Sequence, residues 1–448
     1  MSDESKAWRT TMYGILTDVD SPGVFILSDE AGDHLPWFDL EERGLWVRGE
    51  QIRCGLADVL GVEVNLLYRA HYTEDKSRHQ AEAIYVLEAC GKWPDACCRY
   101  VRRDDLLRTG LVESDHGQIV EKHLTELGDE QMPVERPPWA RAGWYEEATT
   151  WLTDQLTQHS YVLTEPIELG RTWNISCVLR ASTEAGRFFF KAGPAWPLFV
   201  NEGTVMVELA KHFPKYVPMP LCIHAEKRWM LLPDCGEPKY EDATQAEREA
   251  MLTTFAQMQL ELIPAVEDLL TLGVLDRRLP VLAGQIEPLM LDPSATRNLN
   301  EQEISRLIQL IPVLKTRCDE AQRYTIPETL VHGDLHTGNV TFAGEQPTIF
   351  DWTDACIAHP FFDPMLEIIK HDDPDVKACL RDSYLSLWTG IASAERLIVL
   401  WKLVEPLFIL HHAVSYQYIV AHMEESARHE LKSVPQHLLR ELLKCVED

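Results

Sequence analysis

The sequence predicts an α+β protein in which a small α/β domain precedes a β-rich region and a long helical region. Two observations support this fold class. Short strand-like segments bounded by turn residues dominate before residue 237, whereas helical periodicity dominates after it. A chain of 448 residues with 45% apolar residues is also long enough to build two or three cores.

Residues 1–130 are predicted to form the small α/β domain. Strands are expected in TMYGILTD, GVFILSD, VNLLYRAHY and AEAIYVLEA, a helix in GEQIRCGLADVLGV, and helical segments in 103–128. This order is similar to that of a Nudix domain. A working Nudix hydrolase needs a glutamate-rich helix to hold metals; here Arg53 and Asp58 are present, but the paired glutamates are missing. The resemblance implies a module that has lost catalysis and serves as a sensor, a lid or the dimerisation unit of a homodimer. Retained hydrolysis is the alternative.

Residues 131–160 are predicted to be a linker followed by a helix. The linker contains Pro133, Pro137 and Pro138, and proline fits neither a helix interior nor a central strand. The helix is expected in YEEATTWLTDQLTQH. In the β-rich region, 161–237, SCVLRAS and GRFFFKAG are expected to pair, NEGTVMVELAKHF to form a helix, and VPMPLCIHAEKRWMLLPDCGEP to give two more strands. Residues 238–448 are expected to be helical apart from one hairpin.

Composition limits the partners and the compartment. The net charge is −29, from 71 acids against 42 bases, which argues against a general nucleic-acid-binding surface. Eleven scattered cysteines without zinc-finger spacing indicate reduced thiols in a cytoplasmic protein. The N-terminus MSDESKAWRT has no apolar signal core, and the apolar run 397–410 contains Lys402 and Glu405. We therefore expect a buried helix there and no membrane partner.

The stretch LVHGDLHTGNVTFAGEQPTIFDWTDA (330–355) contains several side chains that could bind a metal ion or accept a proton. Apolar residues from Leu330 to Phe350 predict two short strands joined by a turn at 344–346, with Asp334, Asn339 and Asp351 at the strand ends. Carboxylate and amide oxygens are the ligands that Mg²⁺ prefers. A carboxylate left free of metal could accept a proton from a substrate hydroxyl. These are the parts that phosphoryl transfer requires.

Spacing strengthens that interpretation. Asn339 follows Asp334 by five residues, the offset found in the protein-kinase catalytic loop, and Asp351 follows Asn339 by twelve. Upstream, Lys191 ends the strand RFFFKA and Glu202 opens the next helix. The order lysine, glutamate, aspartate, asparagine, aspartate is therefore complete.

With HGDLHTGN followed by IFDWTDA, the chain resembles the aminoglycoside phosphotransferase and choline kinase family over residues 165–440. The resemblance implies a two-lobed protein-kinase-like fold, with a small β-rich N-lobe at 161–237 and a helical C-lobe at 238–448. It implies that Asp334 is the catalytic base and that Asn339 and Asp351 bind Mg²⁺. Lys191 would contact the nucleotide phosphates, and Glu202 would orient it. AHPFFDP, with Asp363, matches the segment that often follows the metal aspartate.

The resemblance also implies a nucleotide site. Leu231 and Leu232 lie in WMLLPD, the connector whose backbone would bind adenine, and Asn174 and Ser176 lie in LGRTWNISC, the loop that would cover the phosphates. That loop is poor in glycine. Thr337 stands where the family commonly has proline. Glu208 is a second candidate partner for Lys191 on a different face of the helix.

The predicted activity is transfer of the γ-phosphoryl group of ATP or GTP to a hydroxyl of a small molecule, such as an amino sugar, an aminoglycoside or an amino alcohol. A nucleotide-binding regulator with little turnover and an atypical protein kinase are the alternatives. At several single residues a purely structural role is the alternative to a functional one. Glu202 could be a first-turn helix acid, and Asp354 could be a helix N-cap or support the site. His332 and His336 are expected to be structural hydrogen-bonding groups, and residues 411–424 a core-packing helix.

Overall fold

A computed structural model describes residues 8–17, 23–43, 48–91, 93–94, 98–128 and 132–447. The chain divides into two compact units. The first comprises residues 1–194 and 423–429, and the second comprises residues 195–422 and 430–448. The short segment after the longest helix of the second unit is therefore packed with the first unit.

The first unit contains ten strands and four α-helices among the described residues. The strands are β1 (Arg9–Leu16), β2 (Gly23–Asp29), β3 (Gly32–His34), β4 (Trp37–Leu40), β5 (Val64–Asp75), β6 (Gln80–Ala89), β7 (Arg99–Arg102), β8 (Glu168–Thr172), β9 (Cys177–Thr183) and β10 (Gly186–Ala192). The helices are α1 (Gly49–Leu60), α2 (Arg103–Thr109), α3 (Ser114–Gly128) and α4 (Trp144–Gln158).

The N-terminal part of this unit is a mixed sheet of order β4-β1-β6-β5, in which β1 and β6 run parallel, together with a smaller sheet β3-β2-β7. Helix α1 packs against the first sheet through Ile52, Leu56 and Leu60 and ends at Gly61, whose φ of 69° suits glycine. The strands and helices predicted in this region are confirmed, whereas β3, β4 and β7 were not predicted. Ser21, Pro22 and Gly23 are residue types that favour a turn between β1 and β2, and the first two of them lie outside the described residues.

Strands β8, β9 and β10 form the antiparallel part that follows the linker. Thr183 pairs with Gly186 at the β9–β10 turn, and Lys191 on β10 pairs with Val178 on β9. This confirms the predicted pairing of SCVLRAS with GRFFFKAG. β8 pairs with β9 through a register shift between Leu169 and Arg171, and pairing continues to Thr172, after which the turn 173–176 leads to β9.

The second unit is mostly helical, as predicted. Its helices are α5 (Glu202–His212), α6 (Gln245–Leu262), α7 (Val266–Leu272), α8 (Leu279–Leu291), α9 (Glu301–Gln322), α10 (Phe362–Ile368), α11 (Pro374–Ser386), α12 (Ala394–His422) and α13 (Val434–Glu447). Its strands are β11 (Cys222–His224), β12 (Trp229–Pro233), β13 (Leu275–Asp276), β14 (Thr329–Val331), β15 (Val340–Ala343), β16 (Gln346–Ile349) and β17 (Cys356–Ala358).

Helix α12 runs through the core of this unit. It is the one helix among the described residues that is long and apolar enough to cross a membrane, but 67% of its most apolar window is buried inside the protein. Trp401, Leu407 and Leu410 are among its buried residues. This agrees with the buried helix predicted around 397–410.

The predicted hairpin forms between β15 and β16, with Val340 opposite Ile349. Leu330 and Val331 do not belong to it. They lie on β14, which pairs antiparallel with β17, so the prediction that they share the hairpin is wrong. The strands of that pair are more than 20 residues apart in sequence, and no local turn signal marks their contact. All cysteines in the described part of the chain are free, in agreement with reduced thiols.

Candidate active site

The loop His332–Asn339 joins β14 to β15 and carries the central motif. Its sharp entry depends on Gly333, which has a φ of 86°. A Cβ atom at this position would lie 2.5 Å from the backbone oxygen of Asp354. Both the backbone conformation and the close approach require glycine here. The loop ends in a short 3-10 helix, Thr337–Asn339.

Asp334 presents its carboxylate next to two side chains of the same loop. The amide nitrogen of Asn339 donates to the backbone oxygen of Asp334 at 2.9 Å and to its Oδ2 at 3.1 Å. The Nε2 of His336 lies 3.5 Å from the same Oδ2. Although protein atoms crowd the carboxylate, 43% of the Asp334 side chain stays exposed, so a substrate can reach it.

The two histidines of the loop act as hydrogen-bonding groups. His332 is buried; its Nδ1 accepts from the backbone N–H of Asp334 at 3.3 Å, and its Nε2 lies 3.0 Å from the oxygen of Phe350. In His336, Nδ1 accepts from the backbone N–H of Gly338 at 2.9 Å. The proton of the neutral ring must then sit on Nε2 in both cases. His336 therefore turns an N–H toward Asp334.

These neighbours set the ionisation of Asp334. Burial acts to raise its pKa, but the hydrogen bond and charge of His336 and the charges of His332 and His412 outweigh burial and lower the pKa to about 2. Burial lowers the pKa of both His332 and His412 to about 4, so these two rings are neutral at pH 7. Asp334 is thus an ionised and weak base, suited to aligning a hydroxyl and accepting its proton late.

Asp363, in the first turn of α10, binds the backbone at the start of the loop. Its Oδ2 accepts from the backbone N–H of His332 at 2.6 Å and its Oδ1 from that of Gly333 at 2.9 Å. Complete burial raises the pKa of Asp363 to about 7, against the lowering effect of these two bonds. Each carboxylate oxygen thus fixes one backbone group at the entrance to the motif.

Asn339 and Asp351 sit at adjacent ends of the hairpin. The backbone N–H of Phe350, the residue before Asp351, donates to the backbone oxygen of Asn339 at 3.1 Å. Because the Asn339 amide nitrogen faces Asp334, its Oδ1 is the atom left to coordinate a metal. Within the described residues no group of three His, Cys, Asp or Glu side chains could hold a metal ion alone. One carboxylate and one amide oxygen nevertheless suit Mg²⁺ that also binds nucleotide phosphates.

Asp351 adopts a left-handed backbone conformation, with a φ of 65°. Such a conformation is uncommon outside glycine, although Asp tolerates it better than most residues. The segment that follows is held by the buried Glu202. Its Oε1 accepts from the backbone N–H of Trp352 at 3.1 Å, and its Oε2 accepts from the hydroxyl of Thr353 at 2.9 Å. Thr353 also donates to Oδ1 of Asp351 at 3.2 Å.

The two candidate glutamates of α5 have different surroundings. Glu202 opens the helix and is buried. Glu208 lies at the surface, where it pairs with Lys211 at 2.8 Å and with His212 at 3.3 Å. Lys191 lies on β10 as predicted. That Lys191 contacts phosphates and that Glu202 orients it remain predictions.

The residues assigned to the nucleotide loop and connector have defined positions. The Oγ of Ser176 accepts from the indole N–H of Trp173 at 2.9 Å, and the Oδ1 of Asn174 accepts from the backbone N–H of Glu424 at 3.4 Å. Both side chains keep donor hydrogens for a phosphate. Leu231 and Leu232 lie on β12. The binding roles of all four residues remain predictions.

Several supporting residues were not predicted. Arg248 on α6 forms a buried ion pair with Glu367 on α10. Thr337 donates through its hydroxyl to the backbone oxygen of Tyr240 at 2.8 Å and through its N–H to Glu367 at 3.4 Å. Proline at position 337 could make neither bond, so the departure from the family pattern has a structural use. Gln259, fully buried, donates to the oxygens of Leu330 and Pro360.

Two remaining expectations concern the surroundings of the loop. Asp354 is followed by β17, so the helix N-cap alternative is wrong. On α12, His411 and His412 are buried, in keeping with a core-packing helix. His411 also receives hydrogen bonds from Arg277, through its ring at 3.0 Å and through its backbone oxygen at 3.0 Å. A buried guanidinium therefore packs against α12 at His411.

Residues 178–372 match the model of the phosphotransferase enzyme family, known as APH. The matched segment contains Lys191, Glu202, Asp334, Asn339 and Asp351. No curated protein matches the sequence. Over this segment the match agrees with the resemblance recognised from the motifs and with the predicted phosphotransferase class. The predicted α+β fold class is confirmed by the strands and helices described above.

Solved structures that match parts of this chain include three phosphotransferases. A choline kinase from Streptococcus pneumoniae is 11% identical with a TM-score of 0.48, over 67% of this chain and 99% of that one. A macrolide 2'-phosphotransferase from Brachybacterium faecium is 17% identical with a TM-score of 0.44, over 63% and 97%. A spectinomycin phosphotransferase, solved with ADP and spectinomycin, is 12% identical with a TM-score of 0.39, over 66% and 96%.

Proposed function

We propose that the protein transfers the γ-phosphoryl group of ATP or GTP to a hydroxyl of a small molecule, on the premise that residues 178–372 match the model of the phosphotransferase enzyme family. One observation carries the proposal. Asn339 bonds the backbone and the carboxylate of Asp334 and lies at the hairpin end next to Asp351. The proposed base and the two proposed metal ligands therefore lie close together at one end of the hairpin.

Asp334 would align the acceptor hydroxyl and take its proton as the oxygen attacks phosphorus. The N–H of His336 keeps the carboxylate ionised and limits its rotation. Mg²⁺, held by Asn339 and Asp351, would supply neutralisation of the phosphate charge. Lys191 would bind the phosphates, with Glu202 as its orienting partner, and Asn174 and Ser176 would donate to them. The backbone at Leu231 and Leu232 would receive the base of the nucleotide.

The acceptor is proposed to be cationic: an amino sugar, an aminoglycoside or an amino alcohol. After burial, the charges of Asp334 and Asp354 are the causes that raise the pKa of Tyr416 on α12. Negative charge therefore lies on this side of the loop, where an ammonium group would bind favourably. Of the alternatives, a protein kinase would need an A-P-E segment, and AHPFFDP stands in its place. A silent regulator would not need the carboxylate of Asp334.

The test is transfer of labelled γ-phosphate from ATP and GTP, with Mg²⁺, into a panel of amino sugars, aminoglycosides, amino alcohols and neutral sugars. Asp334→Asn should lower the transfer rate by about 100-fold or more, because the amide cannot accept the proton. Asp382→Asn is the matched control, since Asp382 is an exposed acid on α11. Nucleotide binding without transfer to any acceptor would favour the regulator, and full activity of Asp334→Asn would refute the mechanism.

A further inference from the structure

The segment 169–177, which comprises the end of β8, the turn at 173–176 and the first residue of β9, contacts the N-terminal part of the chain. We call it the phosphate loop, after the role proposed for Asn174 and Ser176. Gly170 is its only glycine. Glycine-rich phosphate loops shape themselves around the nucleotide through backbone freedom. A loop with one glycine has less backbone freedom, so its conformation must be fixed by other contacts. Three contacts within the first unit fix it.

The first contact comes from helix α1. The Oε2 of Glu50, in the first turn of the helix, accepts from the backbone N–H of Leu169 at 2.9 Å. Arg53 binds the same carboxylate, with distances down to 2.5 Å. Gly49 packs so closely that a Cβ atom there would lie 2.9 Å from Cγ of Leu169. Helix α1 therefore fixes the residue at which the phosphate loop begins.

The second contact comes from the linker. Trp139 is buried in a short 3-10 helix, Pro138–Ala140. Its indole N–H donates to the backbone oxygen of Trp173 at 2.7 Å. The indole of Trp173 in turn donates to Ser176, as described above, and Arg171 stacks on its ring at 4.1 Å. The linker thus fixes the middle of the phosphate loop.

The third contact centres on Arg136, whose side chain is only 6% exposed. Its guanidinium binds both oxygens of Glu424 at 2.9 and 2.6 Å and one oxygen of Glu126 on α3 at 2.8 Å. It also lies 3.9 Å from the ring centre of Tyr68 on β5. The backbone N–H of Glu424 donates to Asn174. One buried cation therefore joins the N-terminal domain, the linker and the tip of the phosphate loop.

From these contacts we infer that the N-terminal domain and linker are part of the nucleotide site: they brace the phosphate loop, with Glu50, Trp139 and Arg136 as positioning residues. This inference rests on the proposed function, because it takes residues 169–177 as the loop that meets the phosphates. It gives the N-terminal domain a role that needs no chemistry of its own.

The nature of the Arg136 contact favours positioning over simple stabilisation. A buried ion pair adds little net stability compared with an apolar cluster of the same size, because both charges lose their hydration. What such a pair does provide is a fixed geometry through directional, bidentate bonds. Arg136 binds Glu126 and Glu424, which are far apart in sequence. Glu424 in turn contacts Asn174 through its backbone N–H.

Two variants of the full-length protein test the brace. Trp139→Phe keeps a buried aromatic ring and deletes the bond to Trp173, together with part of the packing of the indole. Arg136→Gln removes the central cation. We expect nucleotide affinity, measured by titration with ADP and with a non-hydrolysable ATP analogue in the presence of Mg²⁺, to fall about fivefold in Trp139→Phe and about tenfold or more in Arg136→Gln. The KM for nucleotide should rise by similar factors, with kcat changed less than about threefold.

Hydrogen–deuterium exchange gives a readout that a purely structural role would not move. Amides of residues 170–176 should exchange faster in both variants, while those of the β1–β6 sheet stay protected. Arg103→Gln is the matched control, since Arg103 pairs with Glu121 on α3, the helix that also carries Glu126. It should leave loop exchange and nucleotide affinity unchanged.

The outcomes separate this inference from the proposed function. If Trp139→Phe folds normally and leaves both loop exchange and nucleotide affinity at the wild-type values, the brace is refuted. A loss of active enzyme in Arg136→Gln with unchanged KM for nucleotide would also refute it, since that pattern reports stability alone. If the wild-type protein binds nucleotide but transfers no phosphate, and Trp139→Phe still loosens the loop and weakens nucleotide binding, the brace stands and the proposed transfer reaction fails.

Discussion

At the scale of single residues, the Asp363 carboxylate holds the backbone of the loop that carries Asp334, the proposed base. Both of its oxygens accept backbone N–H groups, from His332 and Gly333, at the entrance to the catalytic loop. In Asp363→Asn one oxygen becomes an NH₂ group that faces a backbone donor. We expect unfolding free energy to fall by about 2–3 kcal/mol, because a buried donor loses its acceptor. Transfer activity should fall too, since Asp334 follows directly.

Urea unfolding and the transfer assay on the same preparation check this prediction. Asp382→Asn, the exposed control, should change neither quantity. If Asp363→Asn loses stability but keeps full kcat in its folded fraction, Asp363 supports the fold without positioning Asp334, and the proposed link to catalysis is wrong.

Single residues also mark where sequence reasoning stops. Asp334, Asn339 and Asp351 were identifiable because they lie within 18 residues and keep the spacing of a known motif. The partners of the loop are distant: Arg248 and Glu367 are 119 residues apart, and Thr337 meets Tyr240 across 97 residues. Nothing local in the sequence indicates such pairs. Only Asp363 could be found, because AHPFFDP is itself a family segment.

At the scale of elements, the first turn of α5 controls the conformation after Asp351. Glu202 accepts from Trp352 and Thr353, and Thr353 bonds Asp351, whose backbone is left-handed. Glu202→Gln keeps one acceptor oxygen and places an NH₂ group against a donor. We expect kcat to fall about 10- to 100-fold, because a misplaced metal ligand weakens charge neutralisation in the transition state.

The Mg²⁺ dependence of the rate measures this effect. If Glu202 positions Asp351, Glu202→Gln should need more Mg²⁺ for half-maximal rate. Glu208→Gln is the matched control on the same helix and should behave like wild type, since Glu208 binds only surface partners. An unchanged Mg²⁺ requirement in Glu202→Gln would contradict the role assigned to the first turn.

Elements with a strong local pattern were predicted and those without one were not. Helix α1 was found because a 12-residue apolar stripe ends at glycine, and β9–β10 because a turn separates two apolar runs. Strand β17 has three residues and pairs with both β13 and β14. Its identity comes from tertiary pairing rather than from its own residues, so residues 330–331 were assigned to the wrong partner.

At the scale of the whole molecule, buried histidines make stability depend on pH. Four lie in the second unit: His332, His359, His411 and His412. Burial lowers the pKa of His332 and His412 to about 4 and that of His359 to about 3, and it holds the pKa of His411 well below its usual value. Unfolding returns each ring to a pKa of about 6.5.

The direction in which stability changes with pH follows from the number of protons that the folded and unfolded chains bind. Between pH 6.5 and about 4 the unfolded chain binds protons that the folded chain excludes, so stability is full above pH 6.5 and is lost as the pH falls. At pH 5 each histidine lowers the unfolding free energy by about 2 kcal/mol. Asp363, whose raised pKa gives the opposite sign between about pH 4 and 7, offsets roughly one of them. The net loss is comparable with a typical total stability of about 5–15 kcal/mol.

We therefore expect the second unit to unfold at much lower urea concentration at pH 5 than at pH 7. His359→Asn isolates one contribution: the amide oxygen can still accept from Phe361, as Nδ1 does, but the residue no longer titrates. The stability difference between pH 7 and pH 5 should shrink by about 2 kcal/mol in this variant, whatever its stability at pH 7. His437→Asn, at an exposed position on α13, should keep the wild-type difference. Equal pH dependence in His359→Asn and wild type would show that the ring is protonated in the folded protein, against the direction that its burial requires.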